Sequence, residues 1–354
     1  MKRTMEMTSI NVNWEDFYKQ DISEKLPFFT KEGRLYDCLF AQQFDRLLLT
    51  HLFKTADALR DLTQKKEGMD HAAGLLSHVR AMLYFVQPST RTFLSFLNAC
   101  HILGIKTSEI RDTSTSSEVK GESPEDTVRT FSSYVDLIIM RHPTPGFVEK
   151  TAWLMNRTNR PVPIISGGSG KDQHPTQALL DTYTLYRSFN GDMDNKKIAM
   201  VGDLKRGRTV RSLTYLMKNY KNISLVFVSP KQFRMEPDIL EFLKRHDMPF
   251  TETEDFRSVM GSADAIYMTR IQDEHDKAGE SQKVDYSPFH FKHEHLKLIK
   301  KNCVIMHPLP RRHEIEVSVD DDPRAVFWRQ ERNGMWARAA LMAYIFDVDR
   351  KIAR

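Results

Sequence analysis

The sequence of 354 residues predicts an α/β fold: two doubly wound parallel-sheet domains with helices on both faces. Two observations predict it. Short apolar runs of strand length alternate with longer segments in which apolar residues recur at helical spacing, and this alternation is typical of parallel sheets joined by helices. The pattern also occurs twice along the chain, which indicates two domains of ordinary size.

The first series of elements predicts a domain over residues 36–185. Apolar residues recur at helical spacing from Phe44 to Leu62. Strand-like apolar runs follow at residues 79–85, 136–140 and 162–166. A helix is expected directly after the first run, and another near Pro175, because proline suits the first turn of a helix.

The second series predicts a domain over residues 186–330, joined to the first by the helix near 176–189. Strands are expected at residues 197–201, 225–228, 264–268 and 303–306, with helices at 209–217 and 237–244 between them. A last helix, at about 334–349, is rich in Ala, Leu and Met and is expected to pack back on the first domain. The C-terminal residues 331–354 would thereby complete that domain. Residues 1–35 lack periodicity, and we expect an extension that lies on the surface or is partly disordered.

Composition narrows the class of protein. The chain is 40% hydrophobic and 28% charged with a net charge of +5, and its basic residues alternate with acidic ones, so nucleic-acid binding is not expected. No apolar run approaches the ~20 residues of a membrane span, and none follows the charged N-terminus as in a secretory signal. The separated Cys38, Cys100 and Cys303 form no CxxC pair. We therefore expect a cytoplasmic protein.

A Ser-Thr-Arg-Thr cluster, Ser89, Thr90, Arg91 and Thr92, follows the first predicted strand and opens a helix. Backbone N–H groups and the helix dipole favour an anion at such a position. The three hydroxyls add donors, and a guanidinium can hold two phosphate oxygens. A helix cap alone would need one hydroxyl. The cluster therefore predicts an anion site.

Further polar clusters follow the other strands. Arg141 comes after the second strand, His174 and Gln177 after the third, and His307-Pro308-Leu309-Pro310 after the last. Ligands of parallel sheets bind beyond the carboxyl ends of the strands, so these groups are expected to converge. Arginine, neutral histidine and a threonine hydroxyl can stabilise an oxyanion. The sequence thus predicts a pocket for a small, highly anionic substrate.

Other chemistries have weaker support. Gly168-Ser169-Gly170-Lys171 has the wrong glycine spacing for a phosphate-binding Walker loop. Residues 201–207 follow a strand but lack the GxGxxG of a dinucleotide site. No metal-ligand spacing and no nucleophile elbow appear. We expect neither a cofactor nor a metal.

Together the clusters resemble the carbamoyltransferases, and within that family the type that uses aspartate. The resemblance spans roughly residues 42–350. It rests on seven segments in order: 89–92 (STRT), 120–122 (KGE), 140–143 (MRHP), 174–177 (HPTQ), 201–210 (VGDLKRGRTV), 267–272 (YMTRIQ) and 307–311 (HPLPR). Thr176 and Pro308 stand where ornithine enzymes usually have cysteine. A guanidinium such as Arg270 suits the second carboxylate of aspartate and would repel an ornithine ammonium.

The resemblance implies a role for each site residue. The catalytic residues would be Arg91, Thr92, Lys120, Arg141 and His174. Carbamoyl phosphate would be bound by Ser89, Thr90, Arg91, Thr92, Ser116, Lys120, Arg141, His174, Gln177, Pro308 and Leu309. Aspartate would be bound by Lys120, Arg208, Thr209, Arg270 and Gln272. Thr92, Arg141 and His174 would polarise the carbonyl oxygen, and Gln177 with the carbonyls of Pro308 and Leu309 would face the carbamoyl amine.

The resemblance also implies an assembly and a mechanism. The polar loop 113–123, which holds Ser116 and Lys120, would reach into the neighbouring subunit's site, so we expect a homotrimer with shared active sites. Read alone, this loop is also compatible with an exposed linker. The aspartate amine would attack the carbamoyl carbon directly and expel phosphate, with no covalent enzyme intermediate. Whether a regulatory chain binds stays open.

Four residues depart from the family pattern. Gln87 stands where glutamate is usual and His275 where arginine is usual, so we expect altered domain closure with weak or pH-dependent aspartate saturation. Phe93 and Leu97 replace a charged pair on one helix, and the simplest interpretation of this change is a structural one.

Two alternative functions remain: a transcarbamoylase paralogue with another amino acceptor, and a non-catalytic partner subunit. The second conflicts with the intact phosphate and oxyanion groups.

Overall fold

The computed structural model describes residues 12–112, 121–170, 172–272 and 284–352. The first domain contains α1 (Trp14–Lys19), α2 (Ile22–Lys25), β1 (Thr30–Lys31), β2 (Arg34–Leu35), α3 (Arg46–Leu62), α4 (Lys66–Gly74), β3 (Arg80–Phe85), α5 (Thr90–Ile102), β4 (Lys106–Ile110), α6 (Pro124–Phe131), β5 (Leu137–Arg141), α7 (Phe147–Met155), β6 (Ile164–Ser166) and α8 (Pro175–Ser188). The second contains β7 (Lys197–Val201), α9 (Arg208–Met217), β8 (Ser224–Val228), α10 (Pro237–Arg245), β9 (Phe250–Thr253), α11 (Phe256–Met260), β10 (Ala265–Met268) and β11 (Val304–Met306), and α12 (Phe327–Ile345) follows it. None of the helices described is long and apolar enough to cross a bilayer.

Both main sheets are parallel, which confirms the predicted fold class. The first has the strand order β4-β3-β5-β6 and the second β11-β10-β7-β8-β9. In each sheet the strand that comes first in the chain, β3 or β7, has the next strand on one side and a later strand on the other. The order in which strands are added therefore reverses between β3 and β5 in the first sheet and between β7 and β10 in the second. Ligands of doubly wound sheets bind at such switch points, beyond the carboxyl ends of the strands.

Helices cover both faces of each sheet, as the alternation of buried residues shows. In β3 and β5, Leu83 and Ile139 face one apolar cluster, whereas Met82 and Ile138 face another. Side chains alternate between the two faces of a strand, so a strand buried on both faces reads as a continuous apolar run. This is why the central strands are visible in the sequence.

The last helix packs on the first domain as predicted, against α3, α5 and α8. It begins at Phe327, seven residues before the expected start. Its first turns carry Arg329, Gln330, Glu331 and Arg332, which hide the helical period of apolar residues. The precise domain boundaries stay predictions.

Residues 12–35 of the predicted N-terminal extension pack against the first domain. Phe17 and Phe29 are fully buried in the core of the first domain. The buried Lys25 ammonium lies 2.7 Å from a carboxylate oxygen of Glu149 on α7. A few anchoring residues in otherwise polar sequence give no periodic signal, so this docking could not be read from the sequence.

Two strands of the main sheets were also missed, β4 and β9. Both lie at sheet edges and are only partly buried. An edge strand needs no apolar side chains on its exposed positions, and Lys106-Thr107-Ser108-Glu109-Ile110 therefore lacks the pattern of a buried strand.

Candidate active site

A cavity of about 660 Å³ opens at the carboxyl ends of both main sheets. It brings together every predicted site residue that the structure describes: Ser89, Thr90, Arg91, Thr92, Arg141, His174, Gln177, Arg208, Thr209, Arg270, Gln272, Pro308 and Leu309. Ser116 and Lys120 lie outside the described residues. The individual roles inferred from the resemblance stay predictions.

The N-terminus of α5 forms one wall of the cavity. Ser89 is the N-cap residue, yet its side chain makes no capping hydrogen bond. The first N–H groups of a helix have no acceptor within the helix. Because the Ser89 hydroxyl does not accept from these N–H groups, the Ser-Thr-Arg-Thr cluster can offer backbone and hydroxyl donors to an anion.

The cavity is strongly cationic. Among the described residues that line it are six arginines and one carboxylate, Glu331. Burial, and then the positive charges of Arg208 and Arg91, lower the pKa of Arg141. Guanidinium groups remain protonated in proteins, so this clustering of like charge is relieved when an anion binds. The site thus favours a ligand with several negative charges.

Arg141 and His174 meet at the loop that follows β6. The Nη1 atom of Arg141 donates to the carbonyl oxygen of Gly167 over 3.1 Å. Gly168 has φ +81°, and a Cβ atom there would lie 2.5 Å from Cδ2 of His174. Glycine is therefore required where this loop passes the imidazole.

The His174 side chain is buried and electrically neutral. Burial, followed by the charges of Arg208, Arg141 and Arg338, holds its pKa well below 6.5. Its backbone N–H donates to Oγ of Ser212 on α9, 3.0 Å away, which ties α8 to the second domain. A neutral imidazole can donate a hydrogen bond to a carbonyl oxygen without giving up its proton.

The loop after β11 is held by His307. Leu309 N–H donates to Nδ1 of His307 over 2.8 Å, so the proton of the neutral ring lies on Nε2, which is 2.7 Å from Glu314. Burial lowers the pKa of His307, consistent with the neutral ring. Leu309 has φ +50°, a strained conformation for a residue with a Cβ atom. The hydrogen bond from its N–H to His307 holds Leu309 in this conformation at the cavity.

The second domain contributes two loops that Asp203 joins. Its buried carboxylate accepts from Arg206 N–H at 3.1 Å and from Gln272 N–H at 3.3 Å. These loops follow the neighbouring strands β7 and β10 and carry Arg208 and Arg270. Asp203 therefore sets the spacing of the two arginines predicted to bind the amino acid.

The departures from the family pattern have different outcomes. Gln87 Oε1 accepts from Gly170 N–H at 3.2 Å, and the carbonyl of Gly170 accepts from Arg208 Nη1 at 2.6 Å. His275 lies outside the described residues, so altered closure stays a prediction. Phe93 is buried against Phe85, with ring centroids 5.5 Å apart, which agrees with the structural reading.

Sequence reasoning missed three residues of the cavity, Pro88, Glu331 and Arg338, and it gave no role to Thr269, Pro310 and Arg312 although they lie in predicted binding segments. Glu331 and Arg338 lie on α12, seven residues apart and hence on one face of the helix. Two charged residues at this spacing, on a helix that otherwise packs in the core, could have indicated from the sequence that this face of α12 lines a site. The buried Asp181 and Gln330 behind the cavity were missed as well.

The sequence matches known proteins. A family model described as the carbamoyl-P binding domain of aspartate/ornithine carbamoyltransferase matches residues 37–187, and the Asp/Orn binding domain of the same family matches residues 194–345. The chain is 40% identical over 328 residues to aspartate carbamoyltransferase 1, chloroplastic, from Pisum sativum, which covers 90% of this chain and 81% of that protein. It is 43% identical over 264 residues to the catalytic subunit from Methanocaldococcus jannaschii, covering 74% and 83%.

The fold matches solved structures of the same kind. The catalytic subunit of M. jannaschii aspartate transcarbamoylase superimposes with a TM-score of 0.78 at 36% identity, covering 88% of this chain and 99% of that one. Aspartate transcarbamoylase from Trypanosoma cruzi, in complex with carbamoyl phosphate and aspartate, gives 0.77 at 34% identity, covering 86% and 95%. The chain therefore belongs to the aspartate/ornithine carbamoyltransferase family.

Proposed function

We propose that this chain transfers the carbamoyl group of carbamoyl phosphate to the amine of L-aspartate, giving N-carbamoyl-L-aspartate and phosphate for pyrimidine biosynthesis. The observation that carries this proposal is the single cavity in which the helix N-terminus of α5, Arg141 and neutral His174 adjoin Arg208 and Arg270. Relatives and solved neighbours named aspartate carbamoyltransferase or transcarbamoylase support the same acceptor.

The phosphate of the donor would lie at the N-terminus of α5, held by hydroxyls, backbone N–H groups and Arg91. Its carbonyl oxygen would accept hydrogen bonds from Thr92, Arg141 and His174. As the carbon becomes tetrahedral, negative charge grows on that oxygen, and donors fixed in a buried site stabilise it most. His174 acts by hydrogen bonding, because its neutral ring keeps its proton.

Aspartate would be oriented by its two carboxylates, which Arg208 and Arg270 can each bind in bidentate fashion, assisted by Thr209 and Gln272. Its neutral amine attacks the carbamoyl carbon, the bond to the phosphate oxygen breaks, and one amine proton is lost. The phosphate departs as the trianion, which is a suitable acceptor for that proton and is released as HPO₄²⁻. Holding both substrates in line contributes a large part of such a rate enhancement.

We also propose a cytoplasmic homotrimer with shared active sites. The basis is the resemblance of the loop 113–123, with Ser116 and Lys120, to a segment that reaches into a neighbouring subunit. Analytical ultracentrifugation should give three chains per particle. Mixing inactive Lys120→Ala chains with inactive Arg141→Gln chains should restore activity, because some sites in the mixed trimers contain both native residues. A monomer with full activity would contradict this proposal.

The test of function is phosphate release by the purified chain with carbamoyl phosphate and a panel of amines. We expect release with L-aspartate and none above background with L-ornithine. Arg141→Gln should abolish turnover while leaving the melting temperature close to that of the native protein. Turnover only with another amine would favour the paralogue, and no turnover with any amine would favour a non-catalytic subunit.

A further inference from the structure

A fully buried carboxylate, Asp181 on α8, lies behind the part of the cavity predicted to face the carbamoyl amine. Three donors converge on it. Nε2 of Gln177 lies 3.0 Å and Nε2 of Gln330 lies 2.6 Å from Oδ1, and the hydroxyl of Tyr267 donates to Oδ2 over 2.7 Å. Burial raises the pKa of Asp181 to about 7, against the opposing effect of these hydrogen bonds. All three partners donate, so the geometry suits the ionised form.

The carboxylate fixes which way two amides point. Since Asp181 accepts from the nitrogen of Gln177, the oxygen of that amide is left for the cavity. Gln330 also gives its nitrogen to Asp181, and its oxygen accepts from the backbone N–H of His307 at 3.0 Å. His307 in turn receives the N–H of Leu309. One buried charge therefore orients the Gln177 amide and anchors the loop that carries Pro308 and Leu309.

This arrangement has a chemical consequence for the acyl group. A carbamoyl amine presents two N–H donors, whereas the methyl of an acetyl group presents none. An amide oxygen and backbone carbonyls are acceptors and match only the carbamoyl amine. If the Gln177 amide were reversed, it would present its own N–H₂ group to that amine. Selectivity for an amine over a methyl therefore depends on the orientation of the amide.

We propose that Asp181 is a positioning residue that makes this pocket selective for a carbamoyl over an acetyl group, by fixing Gln177 and the 307–310 loop as acceptors. The inference rests on the proposed function for the identity of the donor substrate. It assigns Asp181 no contact with substrate, and it leaves phosphate recognition to the N-terminus of α5.

The experiment compares dissociation constants for carbamoyl phosphate, acetyl phosphate and inorganic phosphate in the native protein and in Asp181→Asn. Asparagine keeps the shape but puts an N–H₂ group against a donor. Carbamoyl phosphate should bind about tenfold more weakly, and the other two anions within about twofold of native, which is a loss of about 1.4 kcal/mol in discrimination. An unchanged ratio between carbamoyl and acetyl phosphate in the folded variant would overturn the proposal.

A matched control lies one turn further along the same helices. Thr184 Oγ1 on α8 accepts from Nδ2 of Asn333 on α12 at 3.1 Å, and neither residue lines the cavity. Thr184→Val should leave the ratio unchanged, even if it lowers the melting temperature. A loss of discrimination equal to that of Asp181→Asn would show general loosening of the two helices and overturn the specific role.

A second variant covers the case in which Asp181→Asn does not fold. Gln330→Met removes the link to His307 but keeps the bond between Asp181 and Gln177. It should reduce discrimination by about threefold, and an unchanged ratio would count against the proposal. Since dissociation constants need no acceptor, absence of aspartate-dependent turnover in the native protein would refute the proposed function while the ratios still decide the role of Asp181.

Discussion

Glu331 places a negative charge inside a cavity that selects anions. Most substitutions in an active site weaken ligand binding, but replacing this residue should strengthen it. Its Oε1 atom lies 3.9 Å from Nε of Arg91, which is predicted to grip phosphate. Without ligand the carboxylate partly neutralises that guanidinium, so a bound phosphate has to compete with it. Replacing Glu331 with glutamine should therefore tighten phosphate binding.

The magnitude follows from the distance and the exposure. Two unit charges 3.9 Å apart interact by about 4 kcal/mol at an effective dielectric constant of ~20. The side chains are 42% and 26% exposed, so solvent and salt screen much of this. We therefore expect phosphate to bind Glu331→Gln more favourably than the native protein by about 1 kcal/mol, which corresponds to roughly fivefold tighter binding.

The effect should depend on pH in a definite direction. Burial raises the pKa of Glu331, against the lowering effects of Arg338 and Arg91. The charge of Glu331 also acts on Asp181 and Tyr267, and it contributes to the raised pKa of each. As pH falls through this raised pKa, the native protein loses the competing charge and approaches the variant. The ratio of native to variant dissociation constants should therefore be largest at pH values above this pKa and fall toward one on acidification.

The assay is calorimetric titration of both proteins with inorganic phosphate at several pH values. Ionisation of phosphate affects both dissociation constants equally at a given pH and therefore cancels in their ratio. Asp347→Asn is the matched control, because it removes the same charge from an exposed ion pair with Arg34 just after α12. That variant should bind phosphate as the native protein does. Equal or weaker binding by Glu331→Gln would refute the competition and would indicate that Glu331 instead holds Arg91 in place.

Three further variants test other parts of the molecule. Arg270→Gln should raise the KM for aspartate by about tenfold or more with a small change for carbamoyl phosphate, because one carboxylate loses its partner; an equal rise for both substrates would contradict the assignment. Gly168→Ala should lower kcat and destabilise the fold by about 1–3 kcal/mol in denaturant titrations, since a Cβ atom would overlap His174; native values would exclude that overlap. Lys25→Met should cost about 3 kcal/mol by leaving Glu149 buried and unpaired, and adding Glu149→Met should recover most of it; no recovery would show that the pairing itself is not the cause.

The part of the site that could be predicted from sequence is the part whose chemistry follows directly on a buried strand. Arg141 and the cluster that begins at Ser89 come within a few residues of an apolar run, His174 comes eight residues after one, and the carboxyl ends of parallel strands meet at one edge. Local sequence and one rule of topology were therefore enough to bring these residues together. Asp203 also lies just after a strand, within the segment 201–210, but its role in holding two loops from neighbouring strands at a fixed spacing could not be read from the sequence.

The remainder depends on tertiary contacts that leave no local pattern. Glu331 and Arg338 reach the cavity only because α12 returns from the end of the second domain to pack on α5 and α8. Asp181 reads as one more residue of an amphipathic helix until Gln330, 149 residues further along the chain, is placed beside it. Docking of residues 12–35 rests in the same way on single aromatic anchors such as Phe17 rather than on any period.

The most direct test of carbamoyl transfer is an NMR experiment in which the purified chain is mixed with L-aspartate and carbamoyl phosphate labelled with ¹³C at its carbonyl carbon. If the chain transfers the carbamoyl group to aspartate, the label should appear in N-carbamoyl-L-aspartate at the rate at which phosphate is released, and Arg141→Gln should suppress both signals together. Phosphate release without labelled product, or label transferred to an added amine other than aspartate, would contradict it.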